Sequence, residues 1–179
     1  MTMAFHHLAL ATRDLPGTDH FYREVMGFRL VKLVAAPTPE GGWAKHVFYD
    51  TGGNGLMAFW DIHDAGIGTD FPVDLSRSHG LPVWVNHLAF DAPSLDALET
   101  HKERWRQHGH TVTEIDHGWC RSIYIVDPNH IMVEFCCITR PFSADELDEA
   151  PRLLREPAPP LDVPPPMRIH APSTAASRA

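Results

Sequence analysis

The chain has 179 residues, 44% of them hydrophobic, and a formal net charge of −8. That length carries one domain, or two small modules sharing a core, with residues left over for a tail. The acidic balance, without a Lys/Arg-rich block, argues against nucleic acid as a partner, and no apolar run approaches a membrane span. The N-terminal stretch Met1-Thr-Met-Ala-Phe-His-His lacks the features of a signal peptide, so the expected compartment is the cytoplasm. Cys120, Cys136 and Cys137 form neither a disulfide framework nor a zinc spacing. Thirteen histidines, in contrast, direct attention to metals.

In chain order, residues 3–11 read as a strand. Asp14 is the expected N-cap of a helix with Pro16 in its first turn and Gly27 at its end. Leu15, Phe21, Tyr22, Val25 and Met26 fall roughly at helical spacing between them. Strands follow at 28–34, 43–50 and 56–62, the last two joined by a turn at Thr51–Gly55, which gives βαβββ over about 3–62. Residues 63–82 are a loop-like linker. The pattern then restarts with a strand at 83–91 and a helix capped by Ser94, lined by Leu95, Leu98, Lys102 (through its stem) and Trp105, and ended by Gly109. Strands at about 110–116, 120–126 and 130–138 complete a second module, over 83–138. His7-Leu8-Ala9 recurs as His87-Leu88-Ala89 at the same place in each module, an internal repeat.

One such module leaves an apolar sheet face uncovered, and two can close around a shared concave surface. The expected fold class is therefore α+β, two βαβββ modules within residues 1–140 forming a cupped mixed sheet around a metal site. Residues 141–179 read as a short helix, opened by the capping box Ser143-Ala-Asp-Glu146 and reaching roughly Arg155, followed by a Pro-rich flexible tail.

The chemistry centres on the hairpin from His117 to Phe135, with Asp127-Pro128-Asn129 as its turn. Glu134 stands among Val133, Phe135, Cys136, Cys137 and Ile138, where a carboxylate without a positive partner is expensive to bury. His7 and His87 take matching positions on the first strand of each module, so pseudo-symmetry turns both towards the shared cavity. Two His and one carboxylate bind a divalent metal on one face and leave the other positions open. Taken singly, each His also reads as an ordinary sheet residue and Glu134 as a salt-bridged strand end; the repeat favours the metal. Tyr124, on the strand paired with Glu134, is placed to donate to a bound oxyanion, and His117 to move a proton near neutral pH. The alternatives are a half-buried strand aromatic and a loop residue. His6 is expected on the opposite side of its strand, and His101, His108 and His110 in solvent. Cys136 shares the Glu134 face but reads best as a buried thiol.

These residues resemble the vicinal oxygen chelate superfamily over about 4–138. The marks are the two His-Leu-Ala openings, the Asp14-Leu15 helix start, Phe21-Tyr22 with Gly27-Phe28, and Asp127-Pro128 with Val133-Glu134-Phe135. The resemblance implies a cup around a metal held by His7, His87 and Glu134. Members of the glyoxalase type use a fourth ligand that the repeat aligns with Ala58, and alanine cannot ligate. His117, Tyr124, Asp127-Pro128 and Glu134 are similar to the signature of extradiol dioxygenases, in which the matching His and Tyr sit over the metal. The chain departs from that pattern at His130, where Gly or Pro is usual. It also carries Asn54-Gly55 where an acid–base His is usual, although His46 and His63 lie in neighbouring positions.

The resemblance thus implies a mononuclear metal-dependent enzyme, an extradiol-like ring-cleavage dioxygenase acting on a catechol-like substrate with Fe(II) and O2. The alternatives are a redox-neutral glyoxalase-like isomerase, lyase or transferase using Mn(II), Zn(II) or Ni(II), and a metal-free small-molecule binding protein. Modules in this superfamily pair within one chain or between two, and a homodimer is expected.

Overall fold

The structure, a computed structural model, describes residues 5–173. It is a mixed α+β fold with two mixed sheets. The first holds β1 (His7–Thr12), β2 (Arg29–Pro37), β3 (Trp43–Gly52) and β4 (Gly55–His63), in the order β1-β4-β3-β2. The second holds β5 (His87–Asp91), β6 (Val112–Asp116), β7 (Cys120–Val126), β8 (Met132–Ile138) and β9 (Met167–His170), in the order β5-β8-β7-β6-β9. The first four places of the two sheets match, as the repeat requires. β1 runs parallel to β4, while β2–β3 and β3–β4 are antiparallel. By compactness the chain divides into two units. One holds the chain up to Phe90 with Ile125–Val133, the other Asp91–Tyr124 with the chain from Glu134 on.

Local chemistry explains most boundaries. Asp14 accepts from the Gly17 backbone N–H at the start of α1 (Leu15–His20), which continues as a π-helical turn over Phe21–Val25. Gly27 ends the segment at φ +80°, a conformation glycine adopts without steric penalty. This segment buries Tyr22, Val25 and Met26 and covers one face of the first sheet, where Tyr22 meets Phe59 at 4.7 Å and Tyr49 at 5.9 Å between ring centres. The β3–β4 hairpin turns at Gly53 and Asn54, both with positive φ, the backbone that suits the twist of the flanking strands. In the second unit Ser94 caps α2 (Leu95–Gln107), whose buried Trp105 packs on Phe135.

Several expectations shift. The first strand starts at His7, and residues 3–4 of its expected range lie outside the described residues. The strand expected at 83–91 begins only at His87, since Pro82–Val85 closes a backbone turn through Val85 N to Pro82 O, 3.1 Å. The linker contains a short 3-10 turn at Arg77–His79. The capping box at Ser143 and Glu146 forms as read, and α3 spans Ala144–Leu153. The larger difference is in the Pro-rich tail, where Met167–His170 pairs antiparallel with β6 and extends the second sheet. Its anchor is His170, whose Nε2 lies 2.8 Å from Glu114 Oε2. Among the described residues, no helix is long and apolar enough to cross a membrane.

Candidate metal centre and active site

Strand alternation sorts the first sheet into two faces. Residues whose side chains meet α1, such as Tyr49 and Phe59, occupy one. His7, His46, Phe48, Ala58 and Trp60 occupy the other, because Phe48 pairs with Ala58 and His46 with Trp60. The His7 ring stands 5.7 Å from Phe48 and 6.3 Å from His46, centre to centre. His46 is stacked on Trp60 at 3.8 Å, and its Nε2 is buried without a hydrogen-bond partner among the described residues. Burial, with the His7 ring second, lowers its pKa below the ordinary histidine value. His6, expected to point away, precedes the strand, and its Nδ1 is 2.7 Å from His7 Nδ1. One ring therefore donates to the other.

His87 opens β5, with Nδ1 3.0 Å from the Trp84 carbonyl oxygen. A carbonyl only accepts, so Nδ1 carries a proton and donates it to Trp84. This is the outer hydrogen bond that metal-ligating histidines use to fix their tautomer. His87 also borders an open hollow of about 390 Å³, walled by Phe5, Leu8, Leu56 and Leu88 among others.

The second unit carries the remaining candidates. Glu134 is 5% exposed. Two backbone bonds, Asp127 N to Ile131 O and Thr139 N to Trp119 O, set the hairpin register that puts Tyr124 opposite Glu134. Tyr124 OH lies 3.1 Å from His117 Nε2 and is also hydrogen-bonded with Ser122 and Glu134. The directions follow from valence. An ionised carboxylate only accepts, so the phenol donates to Glu134, and Ser122 and His117 donate into the phenol oxygen. Burial raises the pKa of Tyr124, Ser122 opposes the rise, and the Glu134 charge adds to it, so the phenol keeps its proton. Cys120 and Cys136 touch on this face, and burial pushes the Cys120 thiol up to about 12. Cys120 is therefore a buried thiol rather than a nucleophile, whereas Cys136, expected to be buried, is only partly so.

His117 and Tyr124, read separately from the sequence, are thus directly joined. Among the described residues, no group of three or more His, Cys, Asp or Glu side chains is gathered closely enough to hold a metal ion. The donor set itself, imidazole nitrogens plus a carboxylate, fits Fe(II), Mn(II), Zn(II) or Ni(II), and the Trp84-bound tautomer of His87 fits ligation.

The sequence missed three features. Ser122 is a fully buried hydroxyl two residues before Tyr124 on the same strand face, and period-two alternation was the signal available for it. His101, expected in solvent, stacks on Phe135 at 3.7 Å, and burial lowers its pKa to about 4. Asp127, read as turn chemistry, is a buried hub accepting from Tyr22 OH, the backbone N–H groups of Asn129 and Ile131, and Asn129 Nδ2. His130, the departure from the dioxygenase signature, adopts φ +61° and so takes the left-handed conformation at this turn.

With the fold and side-chain arrangement in view, the relationships are clear. Residues 4–135 match the family model described as the Glyoxalase/Bleomycin resistance protein/Dioxygenase superfamily, and the chain belongs to that superfamily. No curated protein matches the chain. Among solved structures, it is similar to the glyoxylase/bleomycin resistance protein/dioxygenase domain from Frankia sp. EAN1pec, with 19% identity over 77% of this chain and 99% of that one, TM-score 0.55. It is also similar to the fosfomycin resistance protein FosX from Listeria monocytogenes, with 17% identity over 82% and 98%, TM-score 0.52. A third is TnmS3, an antibiotic binding protein from Streptomyces sp. CB03234, with 16% identity over 77% and 98%, TM-score 0.52. These likenesses establish the fold.

Proposed function

We propose that the protein is a metal-dependent dioxygenase of the extradiol ring-cleavage type, with His7, His87 and Glu134 as ligands of Fe(II) and a catechol-like substrate. The observation that carries this reading is the hydrogen bond between His117 and Tyr124, the two residues of the dioxygenase signature, on the same hairpin as Glu134. When bound, the metal supplies a cation on which vicinal substrate oxygens are held and through which electrons pass between substrate and O2.

The chain's own residues orient and protonate. In the protein alone the Tyr124 proton is directed onto Glu134. Glu134 would hold the metal as a ligand, and a carboxylate so engaged would accept less strongly from Tyr124, whose phenol would then be available to a substrate oxyanion. His117, already donating into the phenol oxygen, replaces the proton from the other side. The apolar hollow beside His87, lined by Phe5, Leu8 and Leu56 among others, suits the ring of the substrate. A homodimer belongs to the proposal, as in superfamily members that pair modules between chains.

The test is anaerobic purification with metal analysis, Fe(II) reconstitution and oxygen uptake with a panel of catechols. Stoichiometric iron, with uptake lost in His87→Ala and Glu134→Ala, supports the dioxygenase. Bound metal without uptake transfers the argument to redox-neutral isomerase, lyase or transferase chemistry with Mn(II), Zn(II) or Ni(II). A protein that takes up no metal yet binds small aromatics is a binding module.

A further inference from the structure

The superfamily's fourth ligand position is occupied here by Ala58, which has no donor atom. That small side chain lies on the same sheet face as His7 and His46, next to Phe48 in register. The two imidazoles lean towards each other across it, although they stand on β1 and β3 with β4 between, and their ring centres are 6.3 Å apart with planes inclined at 63°. Two imidazoles sharing one cation through bonds of ~2.1 Å have ring centres roughly 5 Å apart, so a modest side-chain shift brings both nitrogens to one ion. His46 is preset for this. Its ring is held by the stack on Trp60 at 3.8 Å, and its Nε2 is the one buried histidine nitrogen without a hydrogen-bond partner among the described residues. A buried polar nitrogen left unpaired is destabilising, and ligation removes that penalty.

We propose that His46 is a ligand of the same metal as His7, supplying from β3 the donor that Ala58 lacks on β4. This rests on the metal-dependent reading above. It gives that ion one imidazole nitrogen more than a set of two His and one carboxylate carries.

The probe is one equivalent of Zn(II), read by chelator competition for affinity and by X-ray absorption for the number of bound imidazoles. His46→Phe keeps a flat ring against Trp60 and removes the nitrogens. The expected result is one imidazole fewer and a loss of affinity of about tenfold or more, with the thermal midpoint of the metal-free protein raised rather than lowered, since the unpaired nitrogen is gone. His63→Phe is the control. His63 stacks on Trp43 on the opposite sheet face and is expected to leave both readouts as in the native protein. If His7→Phe weakens Zn(II) binding while His46→Phe leaves count and affinity alone, the His46 assignment is overturned and the metal site stands. If neither variant changes Zn(II) binding, or the native protein takes up none, both proposals fall.

Discussion

Replacing Asp127 with Ala tests whether the hub at the hairpin turn holds the first unit together. The carboxylate accepts four hydrogen bonds, from Tyr22 OH at 3.0 Å, Asn129 N at 2.9 Å, Asn129 Nδ2 at 3.3 Å and Ile131 N at 2.8 Å. Tyr22 is 0% exposed, Asn129 2% and Ile131 1%, so water does not reach the stranded donors without opening the structure. Asn129 keeps one partner, since its Nδ2 also donates to Thr18. At about 1–1.5 kcal/mol for each of three stranded donors, the cost is about 4 kcal/mol. Domains of this size are stable by roughly 5–15 kcal/mol, so the variant stays folded but close to its limit. In urea, with a slope of ~2 kcal/mol/M, the midpoint is expected to fall by about 2 M.

Asp127→Asn separates hydrogen bonding from charge. Burial raises the Asp127 pKa above the ordinary aspartate value even against its hydrogen bonds. An acid with a raised folded pKa contributes stability that is complete below its unfolded value near 3.8 and is lost as pH rises through the folded value. A neutral amide at this position has no such loss, so the Asn variant should be less costly than the Ala variant and show a flatter stability profile above pH 4. A midpoint shift below about 0.5 M for Asp127→Ala would refute the reasoning, since it would mean the donors find water.

Four further outcomes are expected. Tyr124→Phe removes the phenol proton and should lower turnover by about 10²–10³-fold with metal content unchanged, measured as oxygen uptake at saturating substrate. His130→Gly relieves a left-handed non-glycine residue and should raise stability by about 1 kcal/mol in urea unfolding; a loss would show that the imidazole makes a contact of its own. His101 is held neutral by burial, with a pKa lowered to about 4, so its contribution is complete above its unfolded value of 6.5 and is lost as pH falls towards 4. His101→Phe should therefore flatten the fall in thermal midpoint between pH 6.5 and 4. Ending the chain at Pro166 removes β9 and the His170–Glu114 contact and bares the β6 edge, with an expected loss of about 2 kcal/mol and concentration-dependent aggregation by light scattering.

What the sequence determined by itself was local or repeated. Asp14, Ser94 and Ser143 cap helices because their side-chain oxygens reach backbone N–H groups a few residues on, a property of the chain alone. The recurrence of His-Leu-Ala and the strand-like runs marked two modules and placed Tyr124 on the strand paired with that of Glu134, while the matching strand order and the register that sets the two opposite each other are seen in the fold. Tertiary structure decided what depends on partners distant in sequence. Asp127 becomes a hub only because Tyr22 arrives from a helix 105 residues earlier, and His101 loses solvent only when Phe135 stacks on it. The tail gains a strand because the β6 edge offers unpaired backbone groups and Glu114 accepts from His170, neither of which a Pro-rich composition announces. His46 belongs to no motif, and its convergence with His7 over Ala58 follows from the pairing register of three strands. Burial and long-range pairing are properties of the assembled sheet, and spacing along the chain does not contain them.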